Sequence, residues 1–231
     1  MIVYQANILF TSSLTHFDVY ERGYIAVDEC GIIQGVYSTL PEDLAYDQLV
    51  DFGDKLLIPA MNDMHVHAPQ LGNMGIAMDM QLLPWLNTYI FPEETKFADE
   101  AYAETIYHSF VSELWRHGTM RAAVFATVHT PATHILARAF NEAGMGALIG
   151  LVGMDRHTPA TLCNTPAEWA AGMQTLIESL ASMPLIKPII TPRFIPSCTP
   201  EMLRCMGEMA KQTLLPVQSH LSENQQEIAW V

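Results

Sequence analysis

The chain has 231 residues and a mass of 25.8 kDa, and its 11 Lys+Arg stand against 25 Asp+Glu, a net charge of −14. Half of the residues are hydrophobic and only 16% are charged, which excludes a disordered chain and supplies apolar surface for one large domain with a small satellite. An acidic surface has no field for phosphate backbones or anionic lipid, so a small-molecule partner is expected, with no nucleic acid and no membrane. The first ten residues carry no basic n-region and no apolar run nears the roughly 18 residues of a membrane helix, so a cytoplasmic location is expected. Cys30, Cys163, Cys198 and Cys205 make no CxxC pair, are too few for a disulfide framework and read as buried small hydrophobes.

The elements follow in chain order. Residues 2–10, 24–27 and 32–36 are short and β-rich, with Asp28-Glu29-Cys30-Gly31 as a turn signal, so a small antiparallel sheet with a hairpin is predicted. This is assigned to a small β-sandwich-like N-terminal domain, 1–56. After Pro41 the pattern changes, and Lys55-Leu56-Leu57-Ile58-Pro59 runs into Asp63-Met64-His65-Val66-His67. Tyr102, Ile106, Phe110 and Leu114 recur near helical spacing over 99–117, and Gly118 stands where a glycine stops a helix. A strand is predicted over 119–127, a helix over 131–143 halting at Gly144, and a β run over 146–154. Thr165-Pro166 opens a helix over 165–183, and a strand follows over 186–194. Thr199-Pro200-Glu201 opens another helix reaching about Leu214; a strand over 216–220 and a helical stretch over 223–231 complete the chain.

From the His65 strand onward this makes five consecutive β-then-α units, which argues a parallel sheet with right-handed crossovers. A doubly wound sheet and a (β/α)8 TIM-type barrel compete. No glycine-rich phosphate loop follows any strand, so the α/β barrel is favoured, occupying 57–231 with about five of its units present.

His65-Val66-His67 is the sharpest local feature: histidines at i and i+2 of a strand project to one face and can chelate one metal from a rigid element. A solvated strand face is the plain alternative. The motif ends the first barrel-type strand, where barrel enzymes keep their chemistry, and both His220 and Arg193-Phe194 end later strands at the same rim. Three imidazoles suit zinc, or alternatively ferrous iron, better than magnesium or calcium. Glu223, three residues after His220, could shuttle a proton from a water whose pKa a divalent ion lowers from about 15.7 towards about 7; its plain alternative is a helix N-terminal acid. Trp85 reads as a pocket wall or as core, and His129 and His157 as rim or polar loop residues.

The segments Pro59 through Gln70 (PAMNDMHVHAPQ), Pro84-Trp85-Leu86, Phe91-Pro92, His117-Gly118-Thr119, FATVH at 125–129, KPIITPRF at 187–194 and QSHLSEN at 218–224 together resemble the guanine deaminase family of the amidohydrolase superfamily. HxH marks only the superfamily; HAPQ, TPRF and QSHLSEN in this order are more specific. The resemblance implies hydrolytic deamination of guanine to xanthine and ammonia at one zinc per subunit. It also implies His65, His67 and His220 as metal ligands and Glu223 as catalytic proton shuttle. Gln70 and Arg193 would hydrogen-bond the purine edge, Phe194 would pack near its ring, and His67, His220 and Glu223 would also border the substrate. Arg193-Phe194 stands where two-metal relatives keep a carboxylated lysine, while Lys187 stands near the strand's start, which argues for one metal.

In that family a further histidine on strand six and an aspartate on strand eight would lie beyond Val231. The resemblance therefore implies a fragment, five-eighths of a barrel, that binds zinc poorly and turns over little, and a homodimer for the full-length protein. Alternatives are another mononuclear amidohydrolase of triazine or pterin type, or a non-catalytic truncated binding module.

Overall fold

Buried Val3, Ala6 and Ile8 punctuate β1 (Ile2–Ser13), which turns at Leu14-Thr15 into β2 (His16–Val27) and pairs with it antiparallel, Ile2 opposite Val27. The computed structural model describes residues 1–231, which divide into two compact units, Met1–Ala60 and Met61–Val231. In the first unit β2 pairs antiparallel with β3 (Ile33–Tyr37) across the expected turn, where Asp28 accepts the backbone N–H groups of Cys30 and Ile32. β4 (Gln48–Leu57) then lies parallel to β1, so the order is β3-β2-β1-β4 and the sheet is mixed rather than antiparallel. Lys55, Leu56 and Leu57 belong to β4 and not to the approach to the histidine strand. The register jumps between Gln5 and Asn7, opposite the Gly53 turn at φ +65°, and this bulge breaks the alternation that would mark the strand in the sequence.

In the second unit β5 (Met61–His67) is followed by residues 68–98, which hold only short helical pieces. These are a 3-10 turn at Ala68–Asn73, α1 (Leu82–Trp85), a π-helical turn at Leu86–Ile90, α2 (Phe91–Thr95) and a 3-10 turn at Lys96–Ala98. The regular alternation then starts with α3 (Glu100–Arg116), β6 (Thr119–Phe125), α4 (Thr130–Glu142), β7 (Gly146–Gly150) and β8 (Val152–Gly153). It continues with α5 (Pro166–Leu180), β9 (Ile186–Pro188), β10 (Thr191–Pro192), α6 (Pro200–Thr213) and α7 (Gln225–Trp230). The helix ends follow the local chemistry. Asp99 caps α3, Thr165 and Glu168 form a reciprocal capping box on α5, Thr199 caps α6, and Gly118 and Gly144 take positive φ behind α3 and α4.

β5, β6, β7 and β9 form a parallel sheet in that order, and β8 pairs parallel with β10. The predicted fifth strand joins by two parallel bridges, Ile190 to Val217 and Phe194 to His220, rather than by a full ladder. Pro188 and Pro192 remove two N–H donors from the neighbouring strand, which therefore breaks into β9 and β10. Connectivity and strand order are those of consecutive β/α units of a barrel wall. One core packs Tyr107, Phe110, Phe140, Trp169 and Leu176 between helices and sheet; a second, with Leu86, Ile90, Phe91, Phe125 and Phe194, lies at the strand ends.

Candidate functional site

Parallel register brings the strand ends to one rim: His67 is opposite Phe125, Phe125 opposite Gly150, and Phe194 opposite His220. Side chains of His65, His67 and His220 meet there, with one ring nitrogen of each within 4.8 Å of the others. The Phe125 ring lies beneath all three imidazoles, stacked on His67 at 4.5 Å and at 4.9 and 4.6 Å from His65 and His220.

Proton positions follow from the partners. His220 Nδ1 lies 2.6 Å from the Arg193 carbonyl, which only accepts, so Nδ1 carries the proton and Nε2 presents a lone pair. That lone pair points at His67 Nε2, 2.9 Å away, while His67 Nδ1 is buried without a partner. Burial holds His67 far below the usual imidazole pKa, with the positive charge of Arg193 adding, and brings His220 down to about 4. With His220 Nε2 accepting, His67 Nε2 donates across this contact, and a divalent ion would take the place of that shared proton; a tetrahedral ion with nitrogens at about 2.0–2.1 Å holds them about 3.3 Å apart. The three residues fit such an ion and could hold it.

The remaining predicted residues border the same space. A cavity of about 150 Å³ is lined by the three histidines, Gln70, Arg193, Phe194 and Glu223, with Leu82, Trp85 and Leu86 as apolar wall. It adjoins a more open groove of about 620 Å³ that shares His65, His67, Gln70, Trp85 and Glu223. Trp85 thus lines both spaces while its indole N–H donates to the Ile76 carbonyl. Burial raises the Glu223 carboxyl, and neighbouring Glu227 adds to the shift. Glu223 is not the helix cap of its alternative reading: Asn224 caps α7, and the Ser222 and Glu223 N–H groups donate to buried Glu227.

His129 and His157 do not join the cluster. His129 stands at the start of α4, and His157 donates from Nδ1 to the Pro196 carbonyl at 2.7 Å. Lys187 is exposed on β9 and lines neither cavity. Sequence reasoning missed Phe125 as the floor and Glu94 behind Arg193. Pro92 with Glu93 and Glu94 in the first turn marks the start of α2, but which glutamate turns inward is not encoded locally.

Residues 56–231 match the amidohydrolase family. Guanine deaminase of Dictyostelium discoideum is 34% identical over 99% of this chain and 55% of its own length. A solved guanine deaminase from C. acetobutylicum with guanine bound in its active site superposes with TM-score 0.95 at 40% identity, covering 99% of this chain and 55% of that one. An adenosine deaminase from Xanthomonas campestris with bound zinc shares the fold at TM-score 0.81 and 24% identity. The chain spans about half the length of the relatives it matches.

Proposed function

The chain belongs to the amidohydrolase family, and from that premise we propose that it carries the metal and purine-binding part of an aminohydrolase that converts guanine to xanthine and ammonia. The observation that carries the reading is the convergence of three metal-competent imidazoles with Gln70, Arg193 and Glu223 around one cavity.

His65, His67 and His220 would hold a single zinc ion, Lys187 standing apart from them. A divalent ion held there would supply a water whose pKa is lowered from about 15.7 towards about 7. Glu223, raised by burial, is suited to take a proton on one side of the cavity and return it to the departing amine. Gln70, able to donate and accept, and Arg193, a donor fork, match the mixed polar edge of guanine, and Phe194 with Trp85 supplies apolar walls for its ring. The net charge of −14 favours a small neutral ligand over nucleic acid or lipid, and we place the protein in the cytoplasm as a homodimer at full length.

The test is guanine-dependent ammonia release by the zinc-loaded chain and by a longer polypeptide that contains it and matches its relatives in length. Activity is expected in the longer form, and Glu223→Gln should retain metal while kcat falls by about 10²–10⁴. Stoichiometric zinc without ammonia release from guanine in either form would overturn the reading.

A further inference from the structure

Arg193 is held by Glu94 and Phe91, both outside the residues that line the cavity. Phe91 and Glu94 are three residues apart on α2, so they share a helix face, and both reach the guanidinium. Glu94 Oε2 accepts from Arg193 Nη1 at 2.5 Å, and the guanidinium carbon lies 5.4 Å from the centre of the Phe91 ring. The side chains of this ion pair are 3% and 1% exposed, so water screens neither charge. The second Glu94 oxygen is buried without a partner, so no other donor shares the carboxylate. Its charge reaches Tyr107, whose phenol burial raises well above the usual range with Glu94 adding to the effect.

The consequence is one of charge. Arginine that recognises an anion offers an uncompensated positive charge; here the charge is cancelled by a buried carboxylate behind the cavity wall. What Arg193 then presents to the cavity is a set of directional donors whose positive charge, still felt at His67, is offset by Glu94. Apart from any metal on the histidines, an anionic ligand at this end would meet the Glu223 carboxylate, and the only cationic lining side chain, Arg193, is already paired with Glu94 behind the wall. We propose that Glu94 is a specificity-determining residue: as the buried counterion of Arg193 it makes the cavity select neutral, acceptor-bearing heterocycles over anionic ones of the same shape. The proposal deepens the guanine reading and rests on it for Arg193 facing the ligand.

The test uses two purines of similar shape at pH 7.5, neutral guanine and anionic urate, with dissociation constants measured on zinc-loaded protein in the Glu223→Gln background that blocks turnover. Any bound metal contributes the same charge in every variant, so differences report on Glu94. Glu94→Gln is expected to weaken guanine about tenfold and tighten urate about tenfold, and Glu94→Asp to keep the urate-to-guanine ratio within about threefold of the parent. If Glu94→Gln does not fold, Glu94→Gln combined with Arg193→Gln restores electrical neutrality, and its ratio should again lie within about threefold of the parent. Equal weakening of both purines, a shifted ratio in Glu94→Asp or the neutral double variant, or binding of neither purine overturns the inference. Ammonia release by the longer polypeptide, measured without the Glu223 change, separates the two readings. Failure of the guanine reading alone shows as no deamination with the ratio still moving, and failure of this inference alone as intact deamination with the ratio unmoved.

Discussion

Two imidazoles in the cluster are held by their neighbours. The Arg193 carbonyl accepts from the Nδ1 proton of His220, and Phe125 packs against His67 and His220, whose burial favours their neutral forms. The same burial gives a pH signature. His67 and His220 have folded pKa values below the unfolded value near 6.5, His220 at about 4, so the unfolded chain binds protons first on acidification. The stability they support is complete above about pH 6.5 and is lost as pH falls towards 4. Urea denaturation of the metal-free protein should show this loss, on the order of 3 kcal/mol from His220 alone, and a His220→Gln variant should flatten it. A profile unchanged by the variant would contradict the assigned cause.

At the scale of elements, helix boundaries were the most legible feature. Asp99, Thr165-Pro166 with Glu168, and Thr199-Pro200 cap helices where the local sequence puts them, because a cap needs only groups a few residues apart. α6 departs from the pattern by ending on Leu214 at φ +58°, a left-handed conformation reached without glycine. Leu214 is 87% exposed, so its side chain contributes little packing. Leu214→Gly should therefore stabilise the chain by about 0.5–1 kcal/mol, read as a higher denaturant midpoint at unchanged m-value. Residues 68–98 were opaque for the opposite reason. Their short helical and π-helical pieces are ordered by packing around Phe91 and Phe97 rather than by periodicity. Likewise β4 hid behind a bulge, and the fifth strand makes only two bridges because its neighbour carries prolines.

For the whole molecule, the site couples elements far apart in sequence: β5, the residues after β10 and the segment carrying His220 each line the cavity. A metal bound there links them and is absent from the unfolded chain, so it stabilises by mass action. Zinc at a hundred times its dissociation constant should add about 2.7 kcal/mol, and a chelator should lower the melting temperature reversibly. A melting temperature indifferent to zinc and chelator would argue against a shared site. No helix is long and apolar enough to cross a membrane.

What the sequence by itself determined was everything set by short range: the β-then-α order, the caps, and the His65-Val66-His67 motif, whose two-residue spacing puts both rings on one face of a strand. It also supplied His220, Arg193 and Glu223 from their places at predicted strand ends, and Gln70 through motif resemblance. Only the tertiary structure decided that these meet around one cavity, that Phe125 is its floor, and that Glu94 rather than Glu93 turns inward to Arg193. The physical reason is that proximity across parallel strands, desolvation and the pairing of buried charges depend on register and burial. Those arise when some 150 residues of chain close on themselves between His67 and His220.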